Sequence, residues 1–145
     1  MRVIVLAVGR LRPPYADDVQ HYAKLLGRYV RLELVEVRDD AQVAGRVPRG
    51  PAGGGPGPFV SELASSGQAF SSEAFAAFLE ERRRSGRDVC FVIGGAYGLE
   101  GDARPPAEHR FSLGPMTLPH QLARVVLLEQ LYRGHKILAG EPYHH

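Results

Sequence analysis

Phe91-Val-Ile-Gly-Gly-Ala-Tyr-Gly-Leu99 and Ser112-Leu-Gly-Pro-Met-Thr-Leu-Pro-His120 decide the reading of this chain. Each is a Gly/Pro-rich turn that follows a short apolar run, and the second leads directly into a helical pattern. Glycine and proline at strand ends expose backbone N–H and C=O groups and allow a flat ligand to approach the main chain. Neither turn carries an acid, a lysine or an arginine. That chemistry suits a small ligand held by main-chain bonds and apolar walls, not a triphosphate held by lysine and metal.

Outward from these turns the chain alternates strand and helix. Val3–Val8 and Val89–Ile93 are continuous apolar runs, expected as strands buried on both faces. Tyr15, Val19, Tyr22, Ala23, Leu26, Tyr29 and Val30 recur at helical spacing, with Asp17 and Asp18 in the first turn. Arg31–Val37 follows as a strand, so the opening segment predicts a right-handed βαβ unit in a parallel sheet. Phe59–Leu63 is a weaker strand candidate. Ser71 or Ser72 caps a helix with Phe75, Phe78 and Leu79 on its core face, ending at Arg82–Arg84 and Gly86. Phe111–Leu113 is the last short strand, and Pro119 is expected in the first turn of the final helix, with Thr117 or Leu118 near its cap. Arg46–Pro58 holds four prolines besides five glycines, which excludes a regular helix and predicts a flexible surface loop within a single domain.

The bulk numbers fit that picture. A chain of 145 residues with 44% hydrophobic and 23% charged residues is long enough for one domain with a real core. Net charge is +2, a mild lean toward anionic partners. The single cysteine, Cys90, lies within an apolar strand, which reads as packing in a reducing, cytoplasmic setting. The opening apolar run is too short for a signal peptide or a membrane span. His21, His109 and His135 show no metal-ligand spacing, so no metal is expected. The final helix, residues 119–139, is apolar nearly all round. Such a helix needs cover on every side, which predicts a homodimer through it, with an internal core helix as the competing reading.

Four blocks then carry a specific resemblance: Ile93–Leu99, Leu113–His120, Glu129-Gln-Leu-Tyr-Arg133 and Pro142-Tyr-His144. In this order and at this chain length the sequence resembles the family that methylates N3 of a pseudouridine in 23S ribosomal RNA, within the SPOUT superfamily. The resemblance implies an α/β fold with a parallel-rich sheet, flanking helices and a C-terminal trefoil knot. It implies S-adenosylmethionine as methyl donor, a homodimer whose RNA site is shared between chains, and a target in helix 69 presented by the large subunit or the assembled 70S ribosome. Residue by residue, Leu63, Gly94, Leu113, Gly114, Pro115, Met116, Thr117 and Leu118 match the cofactor-contacting positions. Arg133, Tyr143 and His144 match the polar C-terminal set, with His144 the expected general base, since its reference pKa is near neutrality. This chain departs from the family pattern at Ala64, at Leu113-Gly114-Pro115, in the Pro/Gly-rich Arg46–Pro58 and at His145. Two other readings stand beside the methyltransferase. One is a non-catalytic ribosome-binding or assembly protein of the same fold. The other is a Rossmann-like nucleotide binder using Asp39 or Asp40 on a ribose, although Gly9-Arg10 lacks the glycine fingerprint.

Overall fold

The computed structural model describes residues 1–95, 99, 104–105 and 107–143. The elements run β1 (Arg2–Val8), α1 (Tyr15–Leu26), β2 (Arg31–Val37), α2 (Val43–Arg46), β3 (Phe59–Ala69), α3 (Ser72–Arg84), β4 (Val89–Ile93), β5 (His109–Ser112) and α4 (His120–Leu138). Five strands form one sheet in the order β2-β1-β4-β3-β5, and every pair is parallel. The predicted α/β architecture with a parallel sheet and flanking helices is therefore present. The expectation of a C-terminal trefoil knot falls on a region that includes residues 96–98, 100–103 and 106, which lie outside the described residues.

Strand alternation divides the core between two faces. Val3, Val5, Ala7, Val89, Phe91 and Ile93 point to one side, where α1, α3 and α4 cover them with Val19, Leu26, Phe75, Leu79, Leu127 and Leu131. Ile4, Leu6, Val8, Cys90 and Val92 point to the other, against Val37, Val43, Val60 and Leu99. Both central strands are covered on both sides, which explains why their sequences lack polar alternation.

Helix α4 packs between α1 and α3. Gly134 brings α3 close: a Cβ there would stand 2.9 Å from Leu79 Cδ1. The chain itself thus covers the sheet side and both flanks of α4. Leu122, Val125, Val126, Glu129 and Arg133 remain half-buried along its outer side. Pro119 is the N-cap, with φ −53° and ψ 138°, one residue outside its expected place in the first turn. Proline's fixed φ is compatible with the extended ψ that an N-cap requires. Ser71 caps α3 as expected, its Oγ accepting from Ala74 N at 3.0 Å.

Strand β3 runs to Ala69, past its expected end at Leu63. Leu63 and Gln68 both register with Phe111, so residues 64–67 bulge from the ladder and the strand resumes beyond them. His109 clips the two sides of this bulge, hydrogen-bonded through Nδ1 to Ser61 Oγ at 2.7 Å and through Nε2 to Gln68 Oε1 at 2.9 Å. Gly67 lets the β5 backbone close in: a Cβ there would lie 2.6 Å from Phe111 N and C. Residues 47–58 contain no regular element, and Arg87 holds the end of this loop by donating to Gly57 O at 3.0 Å and Pro58 O at 3.2 Å.

Gly67→Ala is expected to destabilise the fold by about 1–3 kcal/mol, because backbone must move to admit the methyl group. Gly45→Ala in α2, where nothing lies within 4 Å of the added carbon, is expected to be neutral or stabilising. Urea unfolding of the two variants checks both. Burial pushes the Cys90 thiol up to about 12. Its reaction with a disulfide reagent at pH 8 should therefore follow the unfolding rate, with no fast phase in the folded protein.

Candidate methyl-donor pocket and polar C-terminal cluster

In open parallel sheets, ligands bind beyond the carboxyl ends of the strands. Here two adjoining cavities lie at that edge. One, of about 500 Å³, is lined by Leu63 from β3, Gly94 and Gly95 after β4, and Thr117 through His120 entering α4. The other, of about 170 Å³, is lined by Leu63, Ala64 and Ser65 on the bulge and by Ser112 through Leu118 after β5. Leu63, Thr117, Leu118 and Ala123 line both. All eight positions assigned from sequence to the cofactor thus converge here. Met116 is 83% exposed and forms the rim of the smaller cavity, not an enclosing wall. Ser65, Gly95, His120 and Ala123 were not singled out as cofactor positions. The β3 bulge brings in Ser65, the turn after β4 brings in Gly95 and the first turn of α4 brings in His120 and Ala123; of these only the bulge has no local sequence signal.

The turn after β5 is held from within. Ser112 Oγ donates to Gly114 O at 3.0 Å and accepts from Gly114 N at 3.1 Å, while Gly114 takes φ +114°. The turn after β4 is held by Asp40, whose Oδ1 accepts from Gly95 N at 3.0 Å. This is a structural use of the acid that the Rossmann-like reading assigned to a ribose. A Cβ at Gly95 would come 3.3 Å from Val8 Cγ1 and 3.5 Å from Asp40 Oδ1, so the turn passes too near β1 for a side chain to fit easily.

Arg124 joins the pocket to the sheet. Its side chain is 4% exposed, on a helix otherwise apolar at that level. Nη1 donates to Glu36 Oε2 at 2.8 Å, and Nη2 donates to the carbonyls of Val8 and Gly9. Burial lowers its pKa, opposed by Glu36. One turn away, Gln121 ties the β1–α1 loop to α4, accepting from Arg12 N at 2.9 Å and donating to Arg10 O at 3.2 Å. These bonds fix where His120 and Ala123 meet the strand ends.

A second cluster lies farther along α4. From Ala123 to Arg133 the helix rises about 15 Å. There Glu129 Oε1 accepts from Arg133 Nε at 2.8 Å and from the Tyr143 hydroxyl at 3.3 Å, and Oε2 accepts from Gln130 Nε2 at 2.7 Å. The Arg133 guanidinium sits 4.9 Å from the Tyr143 ring centroid, and that ring meets Tyr132 edge-on at 4.9 Å. The hydrogen bond to Glu129 raises the Arg133 pKa, so it stays cationic. Burial and the Glu129 charge push Tyr143 up to about 12, so its phenol stays protonated near neutrality. The structure therefore brings Arg133 and Tyr143 together. His144 lies outside the described residues, as does His145. Glu129, the hub of the cluster, was legible only as an i,i+4 partner of Arg133. Among the described residues no group of three or more His, Cys, Asp or Glu is placed to hold a metal, and no helix is long and apolar enough to cross a membrane.

An all-parallel sheet with a charge-poor, glycine-turned cavity at its carboxyl edge defines an α/β protein with a candidate small-ligand pocket. Comparison with known proteins narrows the class. A family profile described as "Predicted SPOUT methyltransferase" matches residues 1–144. Proteins named Ribosomal RNA large subunit methyltransferase H are similar along their whole lengths. The one from Nitratidesulfovibrio vulgaris is 43% identical over 150 residues, covering 97% of this chain and 96% of the relative. The one from Anaeromyxobacter dehalogenans is 44% identical, covering 99% of each, and the one from Sorangium cellulosum is 42% identical, covering 100% of each. The chain belongs to the SPOUT methyltransferase family. A solved structure of a "probable methylase family protein" from Haemophilus influenzae matches the fold with a TM-score of 0.55 at 9% identity, covering 95% of this chain and 66% of that one.

Arg124→Met removes the donor to Glu36 and to two main-chain carbonyls. Glu36 is 42% exposed and regains water, so the loss falls on the strand-end carbonyls, about 1–3 kcal/mol for a buried polar group left without its partner. Chemical denaturation should show a loss of that size, larger than for an exposed control such as Arg28→Met.

Proposed function

We propose that this protein transfers a methyl group from S-adenosylmethionine to N3 of a pseudouridine in helix 69 of 23S ribosomal RNA. On this reading the RNA is presented by the large subunit or the 70S ribosome, and the enzyme works in the cytoplasm as a homodimer through α4. The observation that carries the proposal is the convergence of Leu63, Gly94 and residues 113–118 on one charge-poor pocket at the sheet's carboxyl edge. The family relationship and the printed name of the relatives support the same reaction class.

The pocket fits the donor on chemical grounds. The donor's sulfonium supplies an electrophilic methyl group. Among the described residues neither cavity is lined by lysine or arginine, so no fixed cation there opposes a positive ligand. Glycine turns at 94–95 and 114 leave backbone groups free for an adenine edge, and Leu63, Leu113 and Leu118 give apolar walls. The reaction then needs N3 aligned with the methyl carbon, water excluded and the N3 proton removed. His144 is the proposed base. Arg133 stabilises the N3 anion or an adjoining phosphate. Tyr143, held neutral, donates a hydrogen bond or stacks on the base, and Glu129 orients both.

Within one chain the polar cluster stands some three helical turns from the donor pocket. An antiparallel α4 pair, meeting along Leu122, Val125, Val126 and Glu129, sets one protomer's Arg133 and Tyr143 beside its partner's pocket. Such a pairing covers the half-buried outer stripe and completes each site in trans.

Calorimetric titration with S-adenosylmethionine should show saturable binding that Gly94→Val abolishes, and ribosomes lacking the modification should be methylated. Absence of donor binding both alone and with ribosomes would favour the non-catalytic ribosome-binding reading. Mixing and refolding Gly94→Val with Arg133→Ala tests the shared site. Random pairing makes half the dimers mixed, each with one intact site, so about a quarter of wild-type activity should return. No recovery from a mixture of folded dimers would place both sites within one chain.

A further inference from the structure

We infer that Arg10, Arg12 and Arg38 form a phosphate cradle that grips the RNA backbone beside the donor pocket. This rests on the reading of the substrate as RNA and extends it to a surface outside the pocket and the C-terminal cluster.

Many cations of this protein are engaged: Arg83 and Arg84 pair with Glu80, Arg104 and Arg110 with Glu62, and Lys136 with Glu141. Among the described residues Arg10, Arg12, Lys24, Arg28, Arg38, Arg46 and Arg49 are exposed and make no ion pair, and of these Arg10, Arg12 and Arg38 stand together beside the pocket. Nearby acids do not neutralise them in fixed pairs. Asp17 and Asp18 lie in the first turn of α1, toward its positive dipole end, and Asp39 is exposed beside Arg38.

All three arginines lie at the sheet's carboxyl edge, Arg10 and Arg12 after β1 and Arg38 after β2. Their main chain is fixed by the protein. Gly9 N donates to Val37 O at 2.8 Å, Leu11 N to Glu36 Oε2 at 2.8 Å, Arg12 N to Gln121 Oε1 at 2.9 Å and Arg38 N to Gln42 Oε1 at 2.8 Å. The backbone is thus committed inward while the guanidinium groups stay in solvent. This loop abuts the pocket, because a Cβ on Gly9 would be 3.7 Å from Nε2 of His120, which lines the larger cavity.

Fixed loops that present unpaired guanidinium groups suit phosphates, which arginine's planar fork meets in a bidentate fashion. The chain's net charge of only +2 leaves RNA affinity to individual contacts, and these three unpaired guanidinium groups supply them beside the pocket, with Asp40 committed to Gly95 N and Glu36 to Arg124 and Leu11 N. The cradle orients the strand flanking the base and carries no sequence information itself.

The test compares a triple variant, Arg10→Ala/Arg12→Ala/Arg38→Ala, with Lys24→Ala/Arg28→Ala/Arg31→Ala, which removes three charges at or near the opposite edge. Ribosome binding is measured from 50 to 200 mM salt, with calorimetric donor affinity as the check of fold and pocket. The cradle predicts at least tenfold weaker ribosome binding and a salt slope shallower by about 0.7 for each lost contact, with donor affinity unchanged. The opposite-edge variant should lose less than threefold. Equal losses in the two variants, or none in either, overturn the cradle while leaving the methyltransferase reading intact. Failure of the wild-type protein to bind ribosomes overturns both.

Discussion

A buried guanidinium organises this molecule. Arg124 projects from the first turns of α4 to the carbonyls that end β1, and its charge is balanced by Glu36 at the end of β2. The last helix of the chain is thereby locked to the first strand. Where α4 enters beside the sheet and how the loop after β1 runs past it depend on that lock, while Asp40 and Ser112 hold the turns after β4 and β5. An apolar residue of similar volume would fill the space but satisfy none of the strand-end carbonyls, which need donors once buried.

The lock also separates two chemistries along one helix. At its N-terminal end α4 helps to wall a pocket without fixed positive charge, which suits a cationic donor. Near its C-terminal end it carries Arg133 and Glu129; burial and the Glu129 charge keep the Tyr143 phenol neutral, and the hydrogen bond to Glu129 keeps the guanidinium charged. A rigid helix keeps these sites apart within one chain, and the half-buried stripe between them is where a second chain would bring them together. On the proposed reading the fold separates donor binding from base recognition, and the proposed dimer reunites them.

Much of this was legible in sequence because the signals are local. Val3–Val8 and Val89–Ile93 lack polar alternation since both their faces are covered. Of the two serines that could cap the helix before Phe75, Ser71 does so. The glycine turns marked the pocket because glycine suits a chain that takes positive φ, as at Gly114, or runs close against neighbouring side chains, as at Gly95 beside Val8 and Asp40. What sequence reasoning missed is non-local. The bulge at residues 64–67 exists because β5 returns beside β3 with Gly67 against Phe111, a contact no window of residues reveals. Asp40 looked like a ribose ligand, but it reaches across β1 to hold Gly95. Arg124 gave one faint signal, a charge amid an apolar helix, and its meaning required the strand end that it bonds. The outer stripe of α4 shows the same limit: the helix's composition suggested an unmet need for cover, and α1 and α3 supply most of that cover within the chain.

The central claim is that the methyl donor is held by the backbone turns after β4 and β5. Amide hydrogen exchange with and without S-adenosylmethionine tests it most directly. The account predicts slowed exchange at Gly94–Gly95 and along residues 113–118, with the amides of α1 unchanged. Protection confined to the β1–α1 loop or to the Asp39–Asp40 turn, with none at those two turns, would contradict it.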